Sequence, residues 1–303
     1  MSNQGPTAGE GAIQPFGFLV ALAPDWRVSR ISANVSDHLG APAADLIGQP
    51  VTSLFAQDAV HSLRNRLALL RSPDSVERLF AVALTGSDSL FDVALHMSGN
   101  TVLIEAEPSR DHRHDRDSTG TIRGMVAQLE AIETLPAFFT EAARQMRALT
   151  GFDKVLIQRF GADAKAAPVG EAVRSGASSM TGKAAPSPSV AGRTIPTIIA
   201  DTSADPVAIL APANARRGGI DLTHAMLLAS PPAQVTALHE AGIGAAVLLP
   251  LIVGGRKWGE ISCYHRAPSC PSFERRSAIE WFALMLGMQI EIRELKARLG
   301  PAL

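Results

Sequence analysis

The 303-residue chain has only two cysteines, Cys263 and Cys270. So few, so close together, they build neither a disulfide framework nor a zinc cluster, and a reducing, cytoplasmic setting is expected. No charge of one sign dominates: 28 Lys+Arg against 29 Asp+Glu give a formal net charge of -1. There is thus no electrostatic reason to expect nucleic acid or an anionic membrane as partner. No run approaches the roughly 18 unbroken apolar residues of a spanning helix. The opening MSNQGPTAGEG lacks the basic and apolar regions of a secretory signal. Strings that carry catalysis are also missing. There is no Ser-His-Asp order, phosphate loop or HExxH, and the glycine-rich runs are hairpin turns, so no enzymatic role is expected of these residues.

What is present divides into two halves, in line with about 100 to 200 residues per domain. Residues 17–22 (GFLVAL) read as a buried strand, and 26–31 (WRVSRI) alternate apolar with polar residues, the period of a half-buried strand. A short helical stretch follows at 34–39. Residues 57–71 place Val60, Leu63, Leu67 and Leu70 on one helix stripe. Three strands at 79–84, 90–97 and 101–107, separated by turn residues, would complete an antiparallel sheet of five. The segment 109–120 (SRDHRHDRDSTG) is too polar to offset its ordering entropy and reads as an exposed linker.

Helical periodicity resumes over 121–150, interrupted at Pro136 and stopped at Gly151. A strand is expected at 154–160, then a stretch rich in Gly, Ala, Ser and Pro from 161 to 188. Two strong strands, 244–253 and 257–265, flank the tight-turn pair Gly254 and Gly255. The last helix, 272–299, carries Ile279, Phe282, Ala283, Leu286, Ile290 and Ile292, a stripe wide enough for the domain face and a partner helix.

The string GAIQPFG (11–17), leading straight into a strand, resembles the GAIQPHG segment of bacteriophytochromes, with Phe16 at their histidine. FDVALHMSGNTVLIEAEPS (91–109), TGFDKVLIQRF (150–160), DLTH (221–224), AGIG (241–244) and VGGRKWG (253–259) running into Cys263, Tyr264 and His265 are similar to the same family. The resemblance spans about residues 11–298. It implies an α+β fold: a PAS domain (11–108) after a disordered tail (1–10), the linker (109–120), then a GAF domain (121–303). Each is a central antiparallel sheet flanked by helices. It further implies a figure-of-eight knot in which 10–16 pass through a loop at 205–228. The function implied is red/far-red light sensing with biliverdin in the GAF pocket. Dimerisation through GAF and C-terminal helices, and an output domain such as a histidine kinase or a partner signalling protein, are implied too.

The family's chromophore chemistry is altered at most of the positions that the resemblance aligns. Its upstream attachment cysteine has no counterpart in 1–10, and the alternative GAF cysteine falls in SPPAQ (230–234), which has none. Ser189, followed by Val190, stands where the family's pocket aspartate belongs. Thr197 stands at an arginine that clamps a propionate, Leu228 at another arginine, Gln234 at the pocket histidine, and Tyr264 at the first of two histidines. Arg193 is the nearby cation that could substitute, Ser230 keeps the family's serine, and His265 keeps the second histidine. Losing these groups together leads to the expectation of a bilin-free sensory module without a cofactor. Biliverdin held non-covalently, or a pocket rebuilt for another small ligand, are the alternatives. His265 reads either as a ligand and proton switch or as a strand-end histidine held by a backbone hydrogen bond. Cys263, on an apolar strand, reads as a small hydrophobe. DHRHD (111–115) has metal-ligand types but reads as a solvated charge run.

Overall fold

The structure, a computed structural model, describes residues 7–72, 75–110, 118–161, 165–177, 193–213, 215 and 219–299. It divides into two compact units: Met1–Asp111 with Ala204–Ala229, and His112–Ser203 with Ser230–Leu303.

The first unit is built on an antiparallel sheet of seven strands. In chain order they are β1 (Thr7–Ile13), β2 (Phe18–Leu22), β3 (Val28–Ser32), β4 (Glu77–Val82), β5 (Phe91–Ser98), β6 (Thr101–Pro108) and β10 (Val207–Ala211), arranged β1-β10-β3-β2-β6-β5-β4. Five of these are the strands expected from alternation and turns. The other two enlarge the sheet. β1 starts at Thr7, inside the segment expected to be a disordered tail, and pairs with β10, which comes from the far half of the chain.

Alternation splits β2 between two cores. Phe18, Val20 and Leu22 join Val35, Val60, Leu63 and others under the helices α1 (Val35–Leu39), α2 (Ala43–Leu46) and α3 (Gln57–Leu67). Leu19 and Ala21 join Ile13, Leu103, Ile209, Leu222, Ala225 and Leu227 on the opposite face. The 204–229 segment therefore covers the second side of this sheet, which explains why GFLVAL is apolar without alternation. Helix α3 ends at Leu67, so Leu70, expected on its stripe, lies beyond it.

In the second unit, α4 (Ser118–Glu130) and α5 (Leu135–Thr150) replace the single interrupted helix expected, and Pro136 occupies the first turn of α5, where its missing N–H costs nothing. Gly151 caps α5 at φ 74°, a left-handed position that suits glycine. Five strands follow: β7 (Lys154–Phe160), β8 (Ala166–Val173), β9 (Thr197–Ile199), β11 (Ala245–Val253) and β12 (Arg256–His265), in the order β8-β7-β12-β11-β9. Strand β8 was not expected. Its sequence, AAPVGEAV, mixes Ala, Pro and Gly and carries almost no strand signal. Gly254 and Gly255, both at positive φ, make the β11–β12 hairpin as expected. Of the linker, 118–120 already belong to α4, and 111–117 lie outside the described residues.

Helices α4, α5 and α7 (Phe273–Leu299) cover one face of this sheet. Phe138, Met146, Val155, Ile157, Val247, Leu249, Ile261, Cys263, Phe282 and Leu286 are among the residues of that core. The short α6 (Pro232–Glu240) belongs to the other face, through Leu238.

Candidate functional site

The face of the second sheet turned away from α5 and α7 has a mixed chemistry. Alternation sends Val155, Ile157, Ile261 and Cys263 into the helix-covered core and leaves Lys154, Leu156, Gln158, Glu260, Ser262 and Tyr264 on the other side. The register sets Gln158 opposite Glu260, Leu156 opposite Ser262 and Lys154 opposite Tyr264. Leu248 and Ala246 of β11 continue the rows, followed by Thr197 and Ile199 of β9.

This face is dry as well as polar. Glu260 and Ser262 are 2 % and 0 % exposed, and the Ser262 hydroxyl donates to Glu260 Oε1 at 3.1 Å. Lys257 Nζ lies 3.8 Å from Glu260 Oε2. Tyr264 is buried among Ile199, Leu238, Ile243, Ala246 and Leu248. Burial pushes its phenol pKa up; a hydrogen bond with Ser262 opposes the rise and the Glu260 charge adds to it.

The expected site residues distribute unevenly. Thr197 is buried in β9, paired with Leu248. Arg193 is buried, and its Nε and Nη2 donate to the carbonyl of Pro196 at 3.2 and 2.8 Å. Ser230 and Gln234 bracket the two prolines that open α6, and the buried Ser230 Oγ and Gln234 Oε1 have no hydrogen-bond partner among the described residues. Leu228 belongs to the first unit, where its carbonyl accepts from Gln14 Nε2 at 3.3 Å and its backbone bridges Ile13. Ser189 and Val190, like DHRHD (111–115), lie outside the described residues. Among the described residues no cluster of three or more His, Cys, Asp or Glu could hold a metal ion.

His265 ends β12, where its carbonyl accepts from the Gly244 N–H at 2.8 Å, and its side chain meets a carboxylate. Its Nδ1 lies 2.9 Å from Asp153 Oδ2, and its ring packs 5.4 Å from that of Phe152. Asp153 is buried, and burial alone would raise its pKa. The N–H of Arg266, the His265 imidazole and the Arg174 guanidinium outweigh this and hold the carboxyl below its usual range. Asp153, Gln158, Glu260 and Ser262 were not anticipated as site residues. The signal was present in GEISCYH, where Glu260, Ser262 and Tyr264 alternate with apolar residues on a strand whose polar side is buried.

Residues 3–109 match the PAS fold and residues 134–293 match the GAF domain. The chromophore-binding domain of an unusual bacteriophytochrome from R. palustris superimposes with a TM-score of 0.81 at 28% identity, covering 95% of this chain and 96% of that one. The chain is a PAS–GAF module of the phytochrome family. The chromophore-binding domain of Stigmatella aurantiaca phytochrome P1 gives a TM-score of 0.80 at 25% identity, covering 94% and 98% of the two chains. Among sequences, the phytochrome-like protein Cph1 of Synechocystis is 27% identical over 93% of this chain, and a Pseudomonas aeruginosa bacteriophytochrome 26% over 93%. This phytochrome-family chain spans 39% of the length of each.

The thiol on β12 does not face the mixed side of the sheet. Cys263 lies in the helix-covered core, 0 % exposed, and burial pushes its pKa far above the ordinary thiol value. Cys270 lies beyond β12 and is half-buried. No helix among the described residues is long and apolar enough to cross a membrane.

Proposed function

We propose that this phytochrome-type module is a sensory or scaffolding unit that works without a bilin and passes its state on through α7 of a dimer. The observation that carries this reading is the donor set on the mixed face of the second sheet. A bilin brings two propionates, which need fixed cations or several hydrogen-bond donors when buried. At the centre of that face the described residues place a buried carboxylate, Glu260, with Ser262, Gln158 and Tyr264 around it; Lys257 is drawn to that carboxylate at 3.8 Å, Lys154 stands at the sheet end, and Arg193 is engaged by the Pro196 carbonyl. Burying a carboxylate without partners costs about several kcal/mol. Cys263 points into the helix-covered core, and neither cysteine stands at a position where the family resemblance would place the thioether.

The test is to purify the protein from cells making biliverdin and record its absorbance. The expected result is no red or far-red band. A band with reversible photoconversion would overturn the proposal, and denaturation would then show whether the pigment is bonded or only bound.

A second reading, a GAF pocket rebuilt for another small ligand, is favoured by Ser230 Oγ and Gln234 Oε1. Buried polar atoms without partners are rare unless water or a ligand satisfies them. Native mass spectrometry of gently purified protein would detect such a ligand; repeated empty preparations would count against it.

The dimer rests on α7. Trp281, Leu284, Met288, Ile292, Leu295 and Leu299 are exposed at spacings of three or four, the seam of a coiled coil. Ile292, from the stripe expected to serve both the domain face and a partner helix, belongs to this outer seam. A groove of about 630 Å³ beside it, between α4 and α7, includes Ile122, Val126, Trp281 and Met285. Met288→Glu is expected to convert the dimer to monomer in analytical ultracentrifugation. The relatives' greater length suggests that a further domain or a separate signalling partner receives the output of α7.

A further inference from the structure

At one end of the second unit's sheet a cleft of about 540 Å³ opens where β7 begins and β8 and β12 end. Its wall is completed by two turns, 174–177 and 241–243, each with a glycine at positive φ (Gly176 at 82°, Gly242 at 73°) and open space where a side chain would stand. The volume suits a small organic molecule. Of the mixed-face residues Lys154 and Tyr264 line the cleft, and Gln158, Glu260 and Ser262 do not.

The charges that line it do not balance. Lys154, Arg174 and Arg266 are cationic, against a single carboxylate, Asp153. That carboxylate is already committed: Oδ1 accepts from Arg174 Nη1 at 3.3 Å, Oδ2 accepts from the backbone N–H of Arg266 at 3.1 Å, and His265 Nδ1 stands 2.9 Å away. Its coordination also fixes the frame, because it ties the start of β7 to the end of β12 and to the strand leaving β8. Lys154 and Arg266 line the cleft, half-buried and exposed respectively, with no ion pair among the described residues. Two cations without a carboxylate partner among the described residues, on the rim of one concavity whose frame a buried anion holds, favour negative charge there.

We propose that this cleft binds a small oxyanion-bearing metabolite, a phosphate ester or a dicarboxylate, with Lys154 and Arg266 as the anion contacts and Asp153 as a positioning residue. Lys154 pairs in register with Tyr264. An anion held there would touch the strand end that carries Tyr264 on the sheet's mixed face and is followed, through 266–272, by α7. Tyr264 and His265, bilin-pocket candidates by the family resemblance, also line this cleft, whereas its anion contacts, Lys154 and Arg266, are not among those candidates.

The experiment is a titration of the full ¹⁵N-labelled chain with inorganic phosphate and, in a parallel arm, with succinate, followed by amide shifts. The expected result is saturable shifts confined to 153–154, 174–177, 241–243 and 264–266, in one arm or both, which also separates phosphate from carboxylate preference. The double variant Lys154→Gln, Arg266→Gln should bind about ten-fold more weakly, as expected for two partly exposed cations each contributing a few-fold. Arg266→Lys, which keeps the charge, should retain most of the affinity. An unchanged far-UV spectrum and melting curve would show that the variants are folded. Linear, non-saturating shifts with both anions, or undiminished binding by the folded double variant, would overturn the proposal.

Discussion

Glu105 is a carboxylate in the middle of β6, 2 % exposed, on the sheet face covered by the 204–229 segment. Its Oε1 accepts from the backbone N–H of Met226 at 3.0 Å and its Oε2 from that of Leu227 at 2.6 Å. His96 Nδ1 lies 3.6 Å from Oε1. One side chain thus satisfies two consecutive buried backbone donors of a segment more than a hundred residues away in sequence. Hydrogen bonds to a charged acceptor contribute about 1.5–3 kcal/mol each. Replacing Glu105 by Gln keeps the shape but leaves one neutral acceptor worth about 1 kcal/mol and turns an amide N–H₂ toward a second donor. The expected loss is about 2–4 kcal/mol, local to the segment. Hydrogen exchange at the Met226 and Leu227 amides should therefore accelerate by about 30-fold or more. The urea transition of this unit should move to lower concentration. Glu105→Leu, which orphans both donors, should be worse. Unchanged protection of both amides in Glu105→Gln would refute the reasoning that this carboxylate fastens the segment to the sheet.

Gly287 in α7 approaches β11 so closely that an added Cβ would meet the Ile252 carbonyl oxygen at 2.5 Å. Helix propensity alone favours Gly287→Ala by about 1 kcal/mol, but the clash is with backbone, and a net destabilisation of about 1–3 kcal/mol is expected in thermal unfolding; a raised melting temperature would contradict it. Cys263, buried with its pKa far above the ordinary thiol range, should resist alkylation at pH 8 to the point of global unfolding, whereas the half-buried Cys270 should label in the native protein; mass spectrometry of the labelled peptides distinguishes them. Asp153 has a folded-state pKa below its unfolded value, so the stability it contributes is present above the ordinary carboxylate range and is lost as pH falls through the folded value. Asp153→Asn should accordingly flatten the acid limb of the stability–pH curve while lowering its neutral plateau, and an unaltered acid limb would count against the Arg174–Asp153–His265 arrangement.

Periodicity and turn residues made most of the architecture legible. The hairpin at Gly254 and Gly255, the stop at Gly151, the break before α5 and the long α7 are local effects, decided by φ freedom, a missing N–H or a repeated apolar stripe within a dozen residues. Strand β8 was illegible because Ala, Pro and Gly carry no strand preference; its pairing with β7, not its composition, makes it a strand. The candidate site was legible in part. Tyr264, Thr197, Gln234 and Ser230 could be named from a family resemblance, yet that Glu260 and Ser262 are dry depends on what covers the sheet face. The same holds for His265, whose carboxylate partner, Asp153, comes from the start of a different strand.

By itself, then, the amino-acid sequence determined the two-domain order, the run of helices and strands, and the lack of a thiol at either position where the family resemblance would place one. Those follow from short-range patterning and from residue identity. Only the tertiary structure decided that 204–229 folds onto the first sheet, that Glu105 fastens it there, and that Lys154 and Arg266 meet at a cleft. Each of these depends on residues far apart in the chain finding hydrogen-bond and charge complements, a long-range matching that no local pattern encodes.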